Sequence, residues 1–156
     1  MKIGYVNGSD LLLKVGGKAT GHATSHTTTF TSETKDRAVK PVASASASAG
    51  KWKEKGVTGQ SVSISAEGLR CFDEAENGFK SLLVLWRRGE SVEVEAFERG
   101  GDSKPYIKGR FVIASIEESA PAEDDATYSL TLENDGEVDI DETGITEGTT
   151  PGTTEE

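Results

Sequence analysis

Two histidines, His22 and His26, are the side chains whose type and spacing could most readily hold a metal ion. On a helix, a spacing of four residues would bring both imidazoles to one side. The surrounding threonines and phenylalanine instead favour a strand. On a strand rising about 3.3 Å per residue the two rings lie roughly 13 Å apart, too far to share a zinc ion bound at about 2 Å. The sequence therefore predicts two polar strand residues here and no metal site.

Other reactive side chains do not form a catalytic constellation either. Cys71 is the only cysteine, so no intrachain disulfide can form, and no histidine lies near it in sequence. Glu93, Glu95 and Glu98 alternate with apolar residues, which is typical of a charged strand face rather than of a positioned acid and base. No glycine-rich phosphate loop precedes a helix. We therefore predict no catalytic residue, no cofactor and no enzyme activity.

The charge of the chain argues against a nucleic-acid binder. Its 156 residues are enough for one domain with a single core, and the net charge is −10. Seven acidic and no basic residues follow from Glu137 onward, which leaves −3 for the rest. This is not the basic footprint of DNA or RNA binding. No apolar run approaches the roughly 20 residues that span a bilayer, and the N-terminus lacks a signal-peptide core, so we expect no membrane partner.

A long polar strand dominates the first third of the chain. Lys18 to Glu33 is rich in threonine and has no proline, which predicts a strand well beyond the usual five or six residues. Asp10 to Val15 predicts a shorter strand before it. Gly16 and Gly17 between them are typical of a two-residue hairpin turn.

The segment from Thr34 to Gly56 reads as a long arm. Its distinctive residues are Lys35, Asp36, Arg37, Lys40, Pro41 and Trp52. Ala43 to Gly50 alternates alanine with serine, which buries too little surface to hold a strand alone. Loops this long are uncommon in compact domains unless they are functional or disordered. Two readings stay open: a flexible surface loop, or a segment that becomes ordered against a partner, with Trp52 as the anchor.

The middle of the chain predicts a strand and then a helix. Val57 to Leu69 alternates apolar with polar residues, which indicates a half-buried strand. Asp73 and Glu76 fit a capping box, although Asn77-Gly78 offers a later start. The predicted apolar stripe of the helix consists of Phe79, Leu82, Leu83 and Trp86. Gly89 ends the helix.

Three more strands complete the predicted domain. They are Ser91 to Glu98, Tyr106 to Ile116 and Ala126 to Leu132. Asn134-Asp135-Gly136 predicts a turn, and Glu137 to Glu156 is predicted to be a disordered acidic tail. The division is thus a domain over residues 1–136 and a tail over 137–156. The expected fold is mainly β, a β-sandwich or barrel flanked by one α-helix with a long extended loop between early strands.

Several segments, taken in their order, resemble the major tail tube proteins of tailed bacteriophages. The matching stretches are Gly8 to Leu12, Gly17 to Ser25, Ser61 to Leu69, Tyr106 to Phe111 and Ala126 to Leu130. The resemblance covers roughly residues 5 to 136. It implies hexameric rings stacked into a hollow tube, with residues 34–56 as an arm reaching the adjacent ring.

The resemblance also implies partners and a location. Self-association, a tape-measure protein, and tail terminator and tip proteins are the expected partners, in a virion tail assembled in the host bacterial cytoplasm. DNA would pass through without specific binding, and Glu93 and Glu95 are candidates for an acidic lumen. Two alternatives stay open: a tube subunit of a contractile injection particle, and a monomeric β-sandwich binding module.

Overall fold

The part of the chain that the structure describes folds mainly as β-strands with one α-helix. The computed structural model describes residues 4–37, 53–71, 78–99 and 104–142. A short 3-10 helix spans Gly8–Asp10. The strands are β1 (Leu11–Val15), β2 (Lys18–Ala19), β3 (Ala23–Arg37), β4 (Glu54–Leu69), β5 (Val92–Glu98), β6 (Ile107–Ser119) and β7 (Thr127–Ile140), and helix α1 spans Phe79–Arg88. The predicted mainly-β class with one helix is confirmed for the described residues.

All seven strands belong to one antiparallel sheet. Their order is β2-β1-β5-β6-β7-β4-β3, so β2 and β3 form its two edges. Leu11 on β1 nevertheless lines the same apolar groove as Thr28 and Phe30 on β3. The sheet therefore curls until β1 and β3 face each other across the groove, as expected for a long twisted sheet.

The core lies on one face of this curled sheet. Strand alternation places apolar residues of β1, β4, β5, β6 and β7 on that face, and helix α1 covers it. The most completely buried side chains are Val15, Ile64, Leu82, Val94, Phe111, Leu130 and Leu132. The opposite face, named the outer face here, is polar.

The predicted strand from Lys18 to Glu33 is wrong at both ends. Only Lys18 and Ala19 pair with β1, and the chain then breaks at His22, whose φ is 48°. Strand β3 starts at Ala23, continues to Arg37, and pairs with β4. The predicted turn at Gly16-Gly17 is confirmed, with φ angles of 62° and 83° that glycine adopts without strain.

The predicted arm is largely strand where the structure describes it. Thr34–Arg37 belongs to β3, and Glu54–Gly56 belongs to β4. The two strands pair over this stretch, so the two described ends of the predicted arm are strand rather than loop. Lys40, Pro41 and Trp52 lie outside the described residues.

The predicted turn at Asn134-Asp135-Gly136 is a bulge within β7. Gly109 pairs with Val138 and Phe111 with Asn134, so β7 holds two extra residues there. Gly136 accepts the distortion with a φ of 91°. Strand β7 therefore continues to Ile140, and residues 137–140 are not the disordered segment predicted from their acidity.

Helix α1 begins at the later of the two predicted positions. Gly78 is its N-cap, and Gly89 ends it with a φ of 67°. The capping pair Asp73 and Glu76 lies outside the described residues. The helix rests on the sheet through Phe79, Leu82 and Leu85, whereas Leu83 and Trp86 are 38% and 47% exposed. The predicted stripe was wrong for these two residues because the helix contacts the sheet along its i, i+3 row alone.

Tyr128 fixes the start of β3 against β7 and α1. Its ring is 2% exposed, and its hydroxyl donates a hydrogen bond to the carbonyl oxygen of Gly21. The ring crosses Gly68 on β4, where a Cβ would lie 2.6 Å from the nearest ring atom. Phe79 of α1 lies beside it, with ring centroids 6.3 Å apart. The Tyr128 side chain thus connects β7 to the segment before β3, to β4 and to α1.

We expect Gly68→Ala to destabilise the domain, because the new methyl group displaces the Tyr128 ring; overpacking typically costs about 1–3 kcal/mol. Tyr128→Phe leaves the Gly21 carbonyl without its hydroxyl partner and costs about 1 kcal/mol. The control is Gly59→Ala on the same strand, where the nearest atom is the flexible end of Glu33 at 3.3 Å. Urea unfolding measures all three. A loss for Gly59→Ala as large as that for Gly68→Ala would contradict the proposed clash.

Candidate assembly surfaces

A ladder of alternating charges crosses the outer face at one half of the sheet. Lys14 pairs in register with Glu95, Glu95 with Lys108, and Lys108 with Asp139, across four strands. The Lys108 ammonium lies 3.1 Å from a carboxylate oxygen of Glu93 and 3.5 Å from one of Glu95. Its hydrogen bond lowers the pKa of Glu93, and the same bond raises the pKa of Lys108. The two predicted lumen carboxylates therefore share one face and one ammonium partner there.

The other half of the outer face carries hydroxyl groups and carboxylates. Ser115, Thr131, Ser65 and Thr27 form one row across β6, β7, β4 and β3. The neighbouring rows contribute Glu67, Glu117 and Glu133. Ser25 and Ser129 donate weak hydrogen bonds to Glu67 and Glu117, at 3.5 and 3.4 Å. Among the described lysines and arginines, none forms an ion pair with these three carboxylates.

Sequence reasoning missed these three carboxylates because they lie on three different strands. Glu67 is in β4, Glu117 in β6 and Glu133 in β7, so no spacing along the chain links them. Only the register of β7 against both neighbours brings them to one face. The alternation of polar and apolar residues within each strand was the one sequence feature that could indicate the face on which each carboxylate lies.

Strand β3 leaves one long edge of the sheet open. It has 15 residues and pairs only with β4 within the described sheet. Every second residue of an antiparallel edge strand directs its N–H and C=O groups away from the sheet. Such an edge is a template for another strand, and soluble proteins rarely leave a long one uncovered. The strand at the opposite end of the sheet, β2, has only two residues.

Strands β3 and β4 continue together beyond the rest of the sheet. Strand β4 pairs with β7 only from Ser63 to Leu69, so residues 54–61 pair with β3 alone. Residues 31–37 and 54–61 are named the ribbon here. Lys35, Asp36 and Arg37 of the predicted arm lie in it, and Asp36 approaches Lys55 at 3.8 Å. Because a two-stranded ribbon is marginally stable in water, it needs contacts from elsewhere.

Several large apolar side chains are also exposed. Phe30 and Ile140 at the groove, and Val57 on the ribbon, are 55%, 54% and 59% exposed. Val84 and Trp86 on α1 are each about half exposed. Exposed apolar side chains that form contiguous patches often mark protein–protein contacts.

The described residues give no basis for a metal centre. They contain no group of three or more histidine, cysteine or acidic side chains placed to hold an ion. His22 sits in the break before β3 and His26 lies on β3, so the two do not converge. The ten residues of α1, the helix of the described part, are too few to cross a membrane.

A comparison with protein families matches residues 5–139 to a family described as phage tail tube protein. The chain belongs to this family. The resemblance read from the sequence is thereby confirmed, and the match spans every described strand except Ile140, the last residue of β7. A search of curated proteins found no significant match.

Solved structures share the tail tube fold. The tail of an empty gene transfer agent (GTA) particle with C6 symmetry has a TM-score of 0.69 at 21% identity, covering 88% of this chain and 99% of that one. The virion of a native gene transfer agent particle gives 0.67 at 24% identity, covering 88% and 99%. The SPP1 tail tube gives 0.61 at 16% identity, covering 97% and 95%.

We expect Lys108→Gln to raise the pKa of Glu93 toward its ordinary value of 4.5, because the hydrogen bond that lowers it is lost. The stabilisation from this pair is present above the unfolded pKa of Glu93 and is lost as pH falls through its lower folded pKa. The stability difference between variant and wild-type tail tube protein should therefore shrink below about pH 4.5. Carboxylate NMR titration and urea unfolding at several pH values measure this. Lys104→Gln, which removes the Asp141 pair instead, should leave the Glu93 pKa unchanged.

Proposed function

We propose that copies of this tail tube subunit form closed rings of six, and that the rings stack into a hollow conduit for DNA ejection. The observation that carries the proposal is the open edge of β3, 15 residues long, on a chain that belongs to the phage tail tube family. The C6 symmetry of the similar gene transfer agent tail supports six copies per ring. The subunit acts structurally and catalyses no reaction.

Ring closure satisfies the edge of β3. A strand from the neighbouring copy pairs with it, and repeating that contact around an axis leaves no open edge in the ring. The same pairing continues the hydroxyl rows of the outer face from one copy into the next. A closed sheet of this kind needs no ligand or cofactor to hold it.

The outer face is the proposed lining of the lumen. Helix α1 occupies the opposite face, so the polar face is the one left for a water-filled channel. Glu67, Glu117 and Glu133 give this face negative charge without counter-ions on the described chain, and they repel DNA phosphates. Glu93 and Glu95 line the same channel, but Lys108 reduces their contribution.

The remaining partners follow from a tube of this kind. A tape-measure protein fills the lumen during assembly, and terminator and tip proteins close its two ends. The proposed location is the virion tail, assembled in the host cytoplasm. The acidic residues 143–156 lie outside the described chain, and their separation as a tail remains a prediction.

Purified protein should form rings or tubes in negative-stain electron micrographs, and its β3 amides should become protected on assembly. In the dissociated subunit, the β3 amides that point away from β4 exchange rapidly with solvent. In the tube, a strand of the neighbouring copy accepts hydrogen bonds from these amides, so they should exchange more slowly. Hydrogen exchange followed by mass spectrometry over residues 23–37 distinguishes the two states.

The β5 amides serve as the internal control, because β5 lies between β1 and β6 in the subunit and should be protected in both states. Assembled tubes whose β3 amides still exchange like those of the free subunit would exclude β3 as the ring edge. A protein that stays monomeric at high concentration would overturn the proposed function itself.

A further inference from the structure

Half of strand β6 has a partner strand on one side only. Residues 107–111 of β6 pair with β5, whereas residues 112–119 pair with β7 alone within the described sheet. On the side away from β7, this second stretch is open over about 26 Å. Helix α1 lies over β6 on the core face of the sheet. The open stretch therefore runs along the border of the helix.

Helix α1 runs antiparallel to the open stretch of β6. At the start of the helix, the ring centroids of Phe79 and Tyr128 are 6.3 Å apart, and Tyr128 pairs with Glu118 near the end of β6. Just after the helix, Ser91 accepts two hydrogen bonds from the Arg110 guanidinium, at 3.0 and 2.7 Å. The helix thus extends from the level of Glu118 to about the level of Arg110.

One flank of α1 is apolar but only partly covered. Because successive helical residues turn by about 100°, Trp86 projects only about 40° away from Leu82. Leu82 is fully buried, yet Trp86 is 47% exposed, and Leu83, farther around the same flank, is 38% exposed. Leu83 and Trp86 are named the apolar flank here.

The apolar flank lies on the side of α1 that faces away from β7. This follows from chirality, because a right-handed helix that runs opposite to β6 on the core face directs these two residues toward the open stretch. On that side the sheet ends at β6 beyond Phe111, where β5 stops pairing. Trp86 is therefore half exposed because the described chain has no strand beneath it.

Strand β3 of a second copy has the direction and the face that this position requires. Strands alternate in direction from β6 through β7 and β4 to β3, so β3 of a neighbour extends the sheet as an antiparallel partner of β6. Phe30 on β3 pairs in register with the core residue Val62. Its side chain therefore points to the face of the sheet on which α1 lies.

Phe30 also lies at the level of the last turn of α1. Its partner Val62 donates a hydrogen bond to the Asn134 side chain, and Asn134 pairs with Phe111 on β6. Phe30 is 55% exposed in the subunit. A half-exposed aromatic ring on the open edge of β3 thus corresponds in face and level to a half-exposed tryptophan beside the open stretch of β6.

We propose that the apolar flank of α1 binds Phe30 of the adjacent copy in the ring. The inference rests on the proposed function and identifies the side chains that anchor the ring contact. Backbone pairing is similar for any strand and fixes the register weakly, whereas a shift by one residue would turn Phe30 to the opposite face. Aromatic side chains that become buried at the centre of an interface commonly dominate its binding energy.

The fluorescence of Trp86 tests the contact directly. The chain has two tryptophans, so Trp52→Phe leaves Trp86 as the single emitter. Ring assembly should shift its emission to shorter wavelength and protect it from acrylamide quenching, because Phe30 of the neighbour removes the indole from water. With Phe30→Ala added, rings formed at higher protein concentration should show a smaller shift and less protection.

The concentration needed for ring formation gives a second measurement. Phe30→Ser and Trp86→Ser should each raise the concentration at which half of the subunits are in rings by at least about tenfold, as expected for aromatic anchors. The matched control is Val84→Ser, which removes a 50% exposed apolar side chain from another side of α1 and should leave that concentration unchanged. Thermal melting by circular dichroism checks folding. Where a serine variant does not fold, Phe30→Leu or Trp86→Leu should act in the same direction.

The double variant Phe30→Ser with Trp86→Ser distinguishes a direct contact from two independent effects. Because each single substitution already removes the same contact, the double variant should raise the required concentration by less than the product of the two single effects. Two effects that simply multiply would show that the side chains do not meet, and would overturn the proposal.

The outcomes separate this proposal from the proposed function. Electron micrographs and light scattering report whether rings form. Wild-type rings in which Trp86 stays as accessible as in the free subunit would overturn the contact with Phe30 and leave the ring subunit intact. Ring formation at wild-type concentration by both folded serine variants, or an equal loss for Val84→Ser, would do the same. Wild-type protein that forms no rings would overturn the proposed function itself.

Discussion

The open backbone edge of β3 is the constraint on which the rest of this structure depends. A sheet of seven strands could bury that edge by closing on itself, but the short β2 at its other end offers only two residues. The described part of the chain therefore supplies no second partner strand for the 15 residues of β3. Backbone groups that lack partners favour pairing between molecules, which is a hazard for a monomer and a means of assembly for a tube subunit.

The interior of the domain holds the start of that edge in position. Tyr128 connects the break before β3 to β7 and α1, and Gly68 leaves the space its ring requires. The extra residues in β7 near Asn134 bend the sheet without ending it, and the Asn134 side chain accepts a hydrogen bond from the Val62 N–H at 3.0 Å. Local irregularities of this kind bend the sheet without interrupting its pairing.

Charge is distributed unevenly over the surface of the described domain. The outer face has the ladder of alternating charges around Lys108 on one half. On its other half, carboxylates without an ion pair on the described chain lie among hydroxyl groups. Helix α1 presents basic and apolar groups on the other side of the sheet.

The sequence by itself determined the elements, because alternation and glycine turns act over a few residues. It correctly predicted β1, β4, β5 and the Gly16-Gly17 turn, and the family resemblance supplied the tube. Tertiary structure decided which strands pair, so that β3 joins β4 rather than β1 and Asn134-Gly136 becomes a bulge. It also decided which carboxylates share a face and which side of α1 is buried. Those outcomes depend on contacts between residues far apart in the chain, which no local pattern records.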